Sequence, residues 1–138
     1  MCNGLQEMQR RIASLASYNS IKVLRVFGHG GPGWQNIAAG TRDSGRCGEE
    51  SAIKSEALDR LAGLLFHFAP GARVELRGSS VSSDGGAMIS ALAQLWKVRV
   101  QAAKTDQEGL LSWNNVIEAR PGMSGLFPVT PVPLEKGD

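Results

Sequence analysis

Three short apolar runs, each preceded by a helical stripe, decide what this chain can fold into. Leu5, Met8, Ile12 and Leu15 recur at three- and four-residue intervals and predict an amphipathic helix ending near Tyr18-Asn19-Ser20. A first strand follows at about Ile21 to Phe27. Leu58, Leu61, Leu65 and Phe68 set a second helical stripe, which Ser51 or Ser55 can cap and Pro70-Gly71 stops. Residues Arg73 to Arg77 make a second strand with VEL at its centre. Beyond Asp84, an expected N-cap, Met88, Leu92, Leu95 and Trp96 form a third stripe, and Val98 to Ala103 a third strand. A shorter strand near Val116 to Ala119 closes the series. Helix and strand in strict alternation imply an α/β domain with a mainly parallel sheet flanked by helices. With 138 residues, 42% of them hydrophobic and 20% charged, the chain fits one globular domain. Its expected extent is residues 1–122, and 123–138, with three prolines from Pro128 to Pro133, reads as a Pro-rich tail, linker or extended arm.

The first strand runs straight into a histidine among glycines, VLRVFGHGGPGWQN. Right-handed crossovers place consecutive parallel strands side by side with their carboxyl ends on one edge. His29 follows strand one and Ser79 follows strand two, so both are expected at the edge where open α/β sheets bind ligands. Gly30, Gly31 and Gly33 leave backbone N–H groups that a ligand can approach closely. The stretch from His29 to about Glu50 reads as one long loop, and such loops are usually functional or disordered.

The order of apolar strand, GHG, long loop, helix, apolar strand, G-S-S-V, glycine loop, helix and strand resembles the caspase–hemoglobinase superfamily of cysteine peptidases. Small bacterial caspase-like domains are the nearest in kind. FGHGG matches the family's histidine element at His29 and Gly30. VELRGSSV matches its cysteine element, with Ser79 standing where the family has the nucleophile. The resemblance covers roughly residues 21 to 104 and implies a caspase-like three-layer sandwich and a peptide-hydrolysing dyad at His29 and position 79. It also implies an oxyanion site at the N–H groups of Gly30 and Ser79. Gly28, Trp34, Gly78, Ser80 and Asp106 are then the expected cleft residues, and Glu108 and Gln107 extend the same edge.

Serine in place of cysteine changes the chemistry. A thiol with a pKa near 8.5 can be ionised by a neighbouring imidazole, whereas a hydroxyl normally needs a base that is itself oriented by a carboxylate. No acid can be set beside His29 from sequence. The resemblance therefore implies an inactive form, natural or engineered, and a caspase-like fold used as a binding or regulatory module is the alternative. HGGPG is also similar to the oxyanion segment of α/β-hydrolases, but residues 78–82 lack the second glycine of a G-x-S-x-G elbow and no histidine follows His67.

Other features narrow the partners. Fifteen basic against thirteen acidic residues give a net charge of +2 with no basic run interleaved with aromatics, which argues against nucleic acid. The chain contains neither an apolar signal segment nor eighteen consecutive apolar residues, so no membrane association is expected. Cys2 and Cys47 provide neither a disulfide framework nor a metal knuckle, and no cofactor or metal is expected. The expected partner is a polypeptide, as substrate or bound protein. The expected location is the cytoplasm, or outside the cell as an effector exported without a classical signal. His67 reads as a residue favouring a helix C-terminus, Trp34 as a cover for the sheet edge, and Trp96 and Trp113 as packing.

Overall fold

The computed structural model describes residues 5–37, 52–55, 58–107 and 113–131. Helix α1 (Leu5–Leu15) forms where the apolar stripe predicts it. It buries Leu5 against the core and half-buries Met8 and Ile12, while Leu15 at its end is exposed. Glu7 in its first turn is hydrogen-bonded by Arg10 and Arg11, and these two guanidinium groups, Arg10 first, hold its carboxyl below the usual carboxylate value.

Strand β1 (Ile21–Val26) leads into a hairpin of β2 (Gly30–Gly31) and β3 (Trp34–Asn36), joined by Pro32-Gly33. With β4 (Ala52–Lys54) these make a small antiparallel sheet in the order β2-β3-β4. The expected loop from His29 to Glu50 therefore begins as paired strands, and residues 38–51 lie outside the described part. A 3₁₀ helix, Asp59–His67, precedes β5 (Phe68–Leu76). Phe68 keeps the helical spacing of Leu58, Leu61 and Leu65, yet it opens the strand and packs on Trp96 with ring centroids 5.4 Å apart. Pro70-Gly71, expected as the helix stop, lies instead in a bulge of β5, where register with β1 jumps between Ile21↔Phe68 and Val23↔Arg73.

A second 3₁₀ turn, Val81–Asp84, leads to α2 (Ala87–Trp96). Gly86 occupies the N-cap position, but Asp84 does the capping: its carboxylate accepts from Gly86 N–H at 2.9 Å and from Met88 N–H at 3.1 Å. Strands β6 (Arg99–Ala103), β7 (Val116–Ala119) and β8 (Leu126–Val129) follow. The main sheet runs β1-β5-β6-β7-β8, parallel through β6, with two antiparallel pairs after it. Four strands thus point one way, and β7 alone is reversed. Residues 126–129, expected in a Pro-rich tail or linker, form the edge strand. Pro128 is tolerated there because an edge position does not require every N–H.

The two faces of this sheet differ. Leu24, Val26, Val74, Leu76, Val100, Ala102, Ile117 and Ala119 point to one side, where they meet Leu61, Leu64, Met88, Ile89, Leu92 and Trp96 in a single cluster. Every described helix contributes to that side. On the other side the register aligns Arg25, Glu75, Gln101, Glu118 and Phe127 in one row across all five strands. The protein is mixed α/β with a five-stranded sheet, and its described helices form one layer. Parallel sheets are usually covered on both faces. Here the alternation R-V-E-L-R in β5 gives one face to charge. No described helix is long and apolar enough to cross a membrane.

Candidate functional site

Val26 pairs with Leu76 at the carboxyl end of the β1–β5 ladder, and Arg77 N–H donates to Val26 O at 2.9 Å. Because the strands are parallel, both chains leave the sheet on the same edge. His29 comes three residues after Val26, and Ser79 three residues after Leu76. The two turns touch through their backbones. A Cβ at Gly30 would stand 3.0 Å from the Ser79 carbonyl oxygen and 2.6 Å from Val81 Cγ2, and one at Gly78 would stand 2.9 Å from Gly30 Cα. Only glycine fits at either place.

Gln35 fastens the turns together from inside. Wholly buried, it accepts from Gly78 N–H at 2.7 Å through Oε1 and donates through Nε2 to Asn36 O at 2.9 Å and Gly28 O at 3.4 Å. Asn36 N–H in turn donates to His29 O at 2.8 Å, and Gly33 N–H to Val81 O at 3.1 Å. A buried amide that satisfies groups on both turns holds their spacing, since each group left alone would cost about 1–3 kcal/mol.

The loop leaving β6 holds Ser79 from the other side. Gln107 N–H donates to Ser79 Oγ at 2.8 Å, Ser80 N–H donates to Thr105 O at 3.0 Å, and Ser80 Oγ donates to Asp106 at 2.7 Å. Ser80 has φ 58°, the left-handed region, which costs a residue with a Cβ about 1–2 kcal/mol. Its two hydrogen bonds to the 105–106 segment offset that strain. Gln107 also bridges Thr105 O and Asn114 through its side chain, and so draws the start and end of this loop together.

The imidazole of His29 is exposed, and among the described residues no hydrogen bond or ion pair joins it to Ser79, Asp84 or Asp106. Both carboxylates are engaged elsewhere, Asp84 in capping α2 and Asp106 with Ser80. The described site thus holds a histidine and a serine on adjacent turns without a carboxylate to orient the ring. That is a poor arrangement for ionising a hydroxyl. No group of three or more His, Cys, Asp or Glu side chains gathers as a metal site among the described residues.

Of the expected cleft residues, Gly28, Gly78, Ser80 and Asp106 lie on these turns. Trp34 is in β3, where its ring lies over Gly31 across the hairpin. His67 Nδ1 is within 3.1 Å of Ala16 O, tying the end of the 3₁₀ helix to the end of α1. Trp96 is core, and its Nε1–H donates to Leu61 O at 2.8 Å. Glu108, Cys2 and Cys47 lie outside the described residues. Two features escape the sequence reading: Gln35, hidden because the hairpin went unrecognised, and the arginine cluster behind Ser79. In that cluster Glu75 is held by Arg77 at 2.7 Å, Arg73 at 2.9 Å and Arg25 at 3.3 Å. The signal for it was the charged parity of β5. Comparison with known proteins finds no match to a family model, a curated protein or a solved structure.

Proposed function

We propose that the chain is a caspase-like domain whose dyad position is formed by His29 and Ser79, with serine replacing the nucleophilic cysteine, and that it does not hydrolyse peptides in this form. One observation carries the reading. The parallel β1–β5 register sets His29 and Ser79 at equal distances past the last paired residues, with Gly30 packed on the Ser79 backbone. The order of motifs from FGHGG to RGSSV and the helix after it agree with that family. The finer three-layer architecture belongs to the same proposal. A cysteine at position 79 would attack a peptide carbonyl carbon, His29 would protonate the leaving amine, and the N–H groups of Gly30 and residue 79 would hold the oxyanion. The same fold acting as a polypeptide-binding module is the second reading, favoured by the bond from Gln107 N–H that occupies Ser79 Oγ.

Ser79→Cys tests the first reading directly. The new thiol is expected to react with iodoacetamide on the order of tenfold faster than Cys2 or Cys47 at pH 7, and His29→Ala is expected to remove the advantage. A thiol of ordinary reactivity, indifferent to His29 in a folded chain, would favour the binding module. Robust hydrolysis by the unaltered chain, lost in both His29→Ala and Ser79→Ala, would establish a serine enzyme instead.

A further inference from the structure

The two edges of the main sheet are finished differently. At one edge β8 is four residues long and carries Pro128, which blunts it against further pairing. At the other, β1 has six residues, IKVLRV, with neither proline nor glycine. Among the described residues β1 pairs with β5 alone, and its Ile21, Val23 and Leu24 stay half-buried. Val26 O accepts from Arg77 N–H, so Val26 faces β5. Strand alternation then turns the N–H and C=O groups of Val23 and Arg25 outward. A long apolar edge with open backbone groups is a template for another strand.

The exposed apolar side chains gather along the same edge. Five large ones are exposed among the described residues: Leu15 (87%), Tyr18 (74%) and Phe66 (61%) at the start of β1, Phe27 (42%) at its end, and Met123 in the turn before β8. The group at the start is held in place. Tyr18 packs on Phe66 with ring centroids 6.4 Å apart and on His67 at 5.5 Å, while Asn19 N–H and Ser20 N–H donate to Phe66 O and His67 O, each at 3.0 Å. Rings fixed in water rather than folded onto the core mark a contact surface.

We infer that the β1 edge is the interface of a two-fold dimer, in which β1 pairs antiparallel with β1 of a second copy and the two five-stranded sheets become one. The distribution of apolar groups selects that occupant. An antiparallel pairing lays the start of one β1 beside the end of the other, so Tyr18 and Phe66 of each copy meet the other copy's Phe27. At about 200 Å² a ring, the exposed parts of Tyr18, Phe66 and Phe27 come to about 350 Å² per copy. A stable pair buries about 800 Å² per partner, and Leu15 with the strand edge adds to the rings. Charge does not oppose the pairing, since Arg25 is held by Glu75 and leaves Lys22 as the exposed cation of the strand.

The test is sedimentation of the full chain at concentrations up to about 200 μM, where a pair of micromolar affinity is populated. A dimer of twice 14.7 kDa is expected. Val23→Pro removes an outward N–H and no bond to β5, and is expected to leave a folded monomer. Phe66→Lys changes an exposed ring, and is expected to weaken dimerisation on the order of tenfold. Met123→Lys, near the opposite edge, is expected to change nothing. Circular dichroism checks the fold of each variant, and Phe66→Lys decides the matter should Val23→Pro unfold. A chain that stays at 14.7 kDa throughout would overturn the dimer. So would a dimer indifferent to Phe66→Lys or to a folded Val23→Pro, or one lost in Met123→Lys. Assembly beyond two copies would overturn the two-fold arrangement, which closes on itself.

Discussion

The two faces of the main sheet are stabilised in opposite ways. Towards the helices, Val74, Leu76, Val100, Ala102 and Ile117 close a continuous apolar cluster around Trp96, held by area removed from water and by shape. On the other side, Glu75 and Glu118 are anchor points for arginines. Glu118 is held by Arg120 and Gln101, both at 2.7 Å, with Arg99 at 3.8 Å, and Arg120 stacks on Phe127 at 3.8 Å. The first face tolerates little change of volume. The second depends on each charge keeping its partner.

The largest expected effect tests the apolar face. Trp96→Ala removes the indole packed on Phe68 and orphans Leu61 O, and is expected to cost about 3–5 kcal/mol in urea unfolding. A loss under about 1 kcal/mol would mean that the helical layer is not the principal core.

Glu75→Gln probes the charged face and leaves three guanidinium groups without their counter-charge. About 3 kcal/mol is expected, at the low end for breaking a buried pair because Arg25 and Arg73 keep some contact with water. An unchanged stability would show that the cluster contributes nothing net. A smaller effect lies in its pH dependence. Burial pushes the Glu75 carboxyl upward, but the hydrogen bonds from Arg73 and Arg77 and the charge of Arg25 outweigh it, and the net shift is downward. A lowered folded value makes the contribution of Glu75 fully present above the ordinary 4.5 and lost as pH falls below it. The stability gap between the wild type and Glu75→Gln should therefore be flat from pH 7 to about 5 and narrow below about 4.5. A gap that widened on acidification would contradict the ion-pair account.

Sequence periodicity located the elements well where one face alone decides them. Val116–Ala119 has the boundaries that its pattern predicts, and α1 follows its apolar stripe but ends at Leu15, short of the expected Tyr18-Asn19-Ser20. Phe68 was misplaced because its spacing continues the helical stripe while its tertiary partner, Trp96, draws it into a strand. The hairpin at 30–36 was hidden because Gly30 and Gly31 carry no side-chain pattern, and the pairing becomes visible only through Trp34 and Gln35 opposite them. The sheet with its flanking helices was legible in the alternation of elements, whereas the charged parity of Arg73, Glu75 and Arg77, which leaves the described helices on the Val74 and Leu76 side, went unread. At the site, the topology brought out His29 and Ser79. Gln35 was not legible, since a lone amide shows no partner until the fold supplies one.

The register across the main sheet also implies an order of assembly. Glu118 and Phe127 are nine residues apart in sequence, whereas Arg25 and Glu75 are fifty apart. Loop-closure entropy makes the second pairing about 1.5 kcal/mol dearer than the first. Strand β1 would then dock last and detach first, taking His29 with it and leaving Ser79 on an otherwise formed sheet. Hydrogen exchange should find β1 amides less protected than those of β6 and β7. Equal protection throughout would mean that the sheet opens as one unit. On this topology the two halves of the site belong to different cooperative units, so a ligand bridging them would act as a fastener for the whole N-terminal edge.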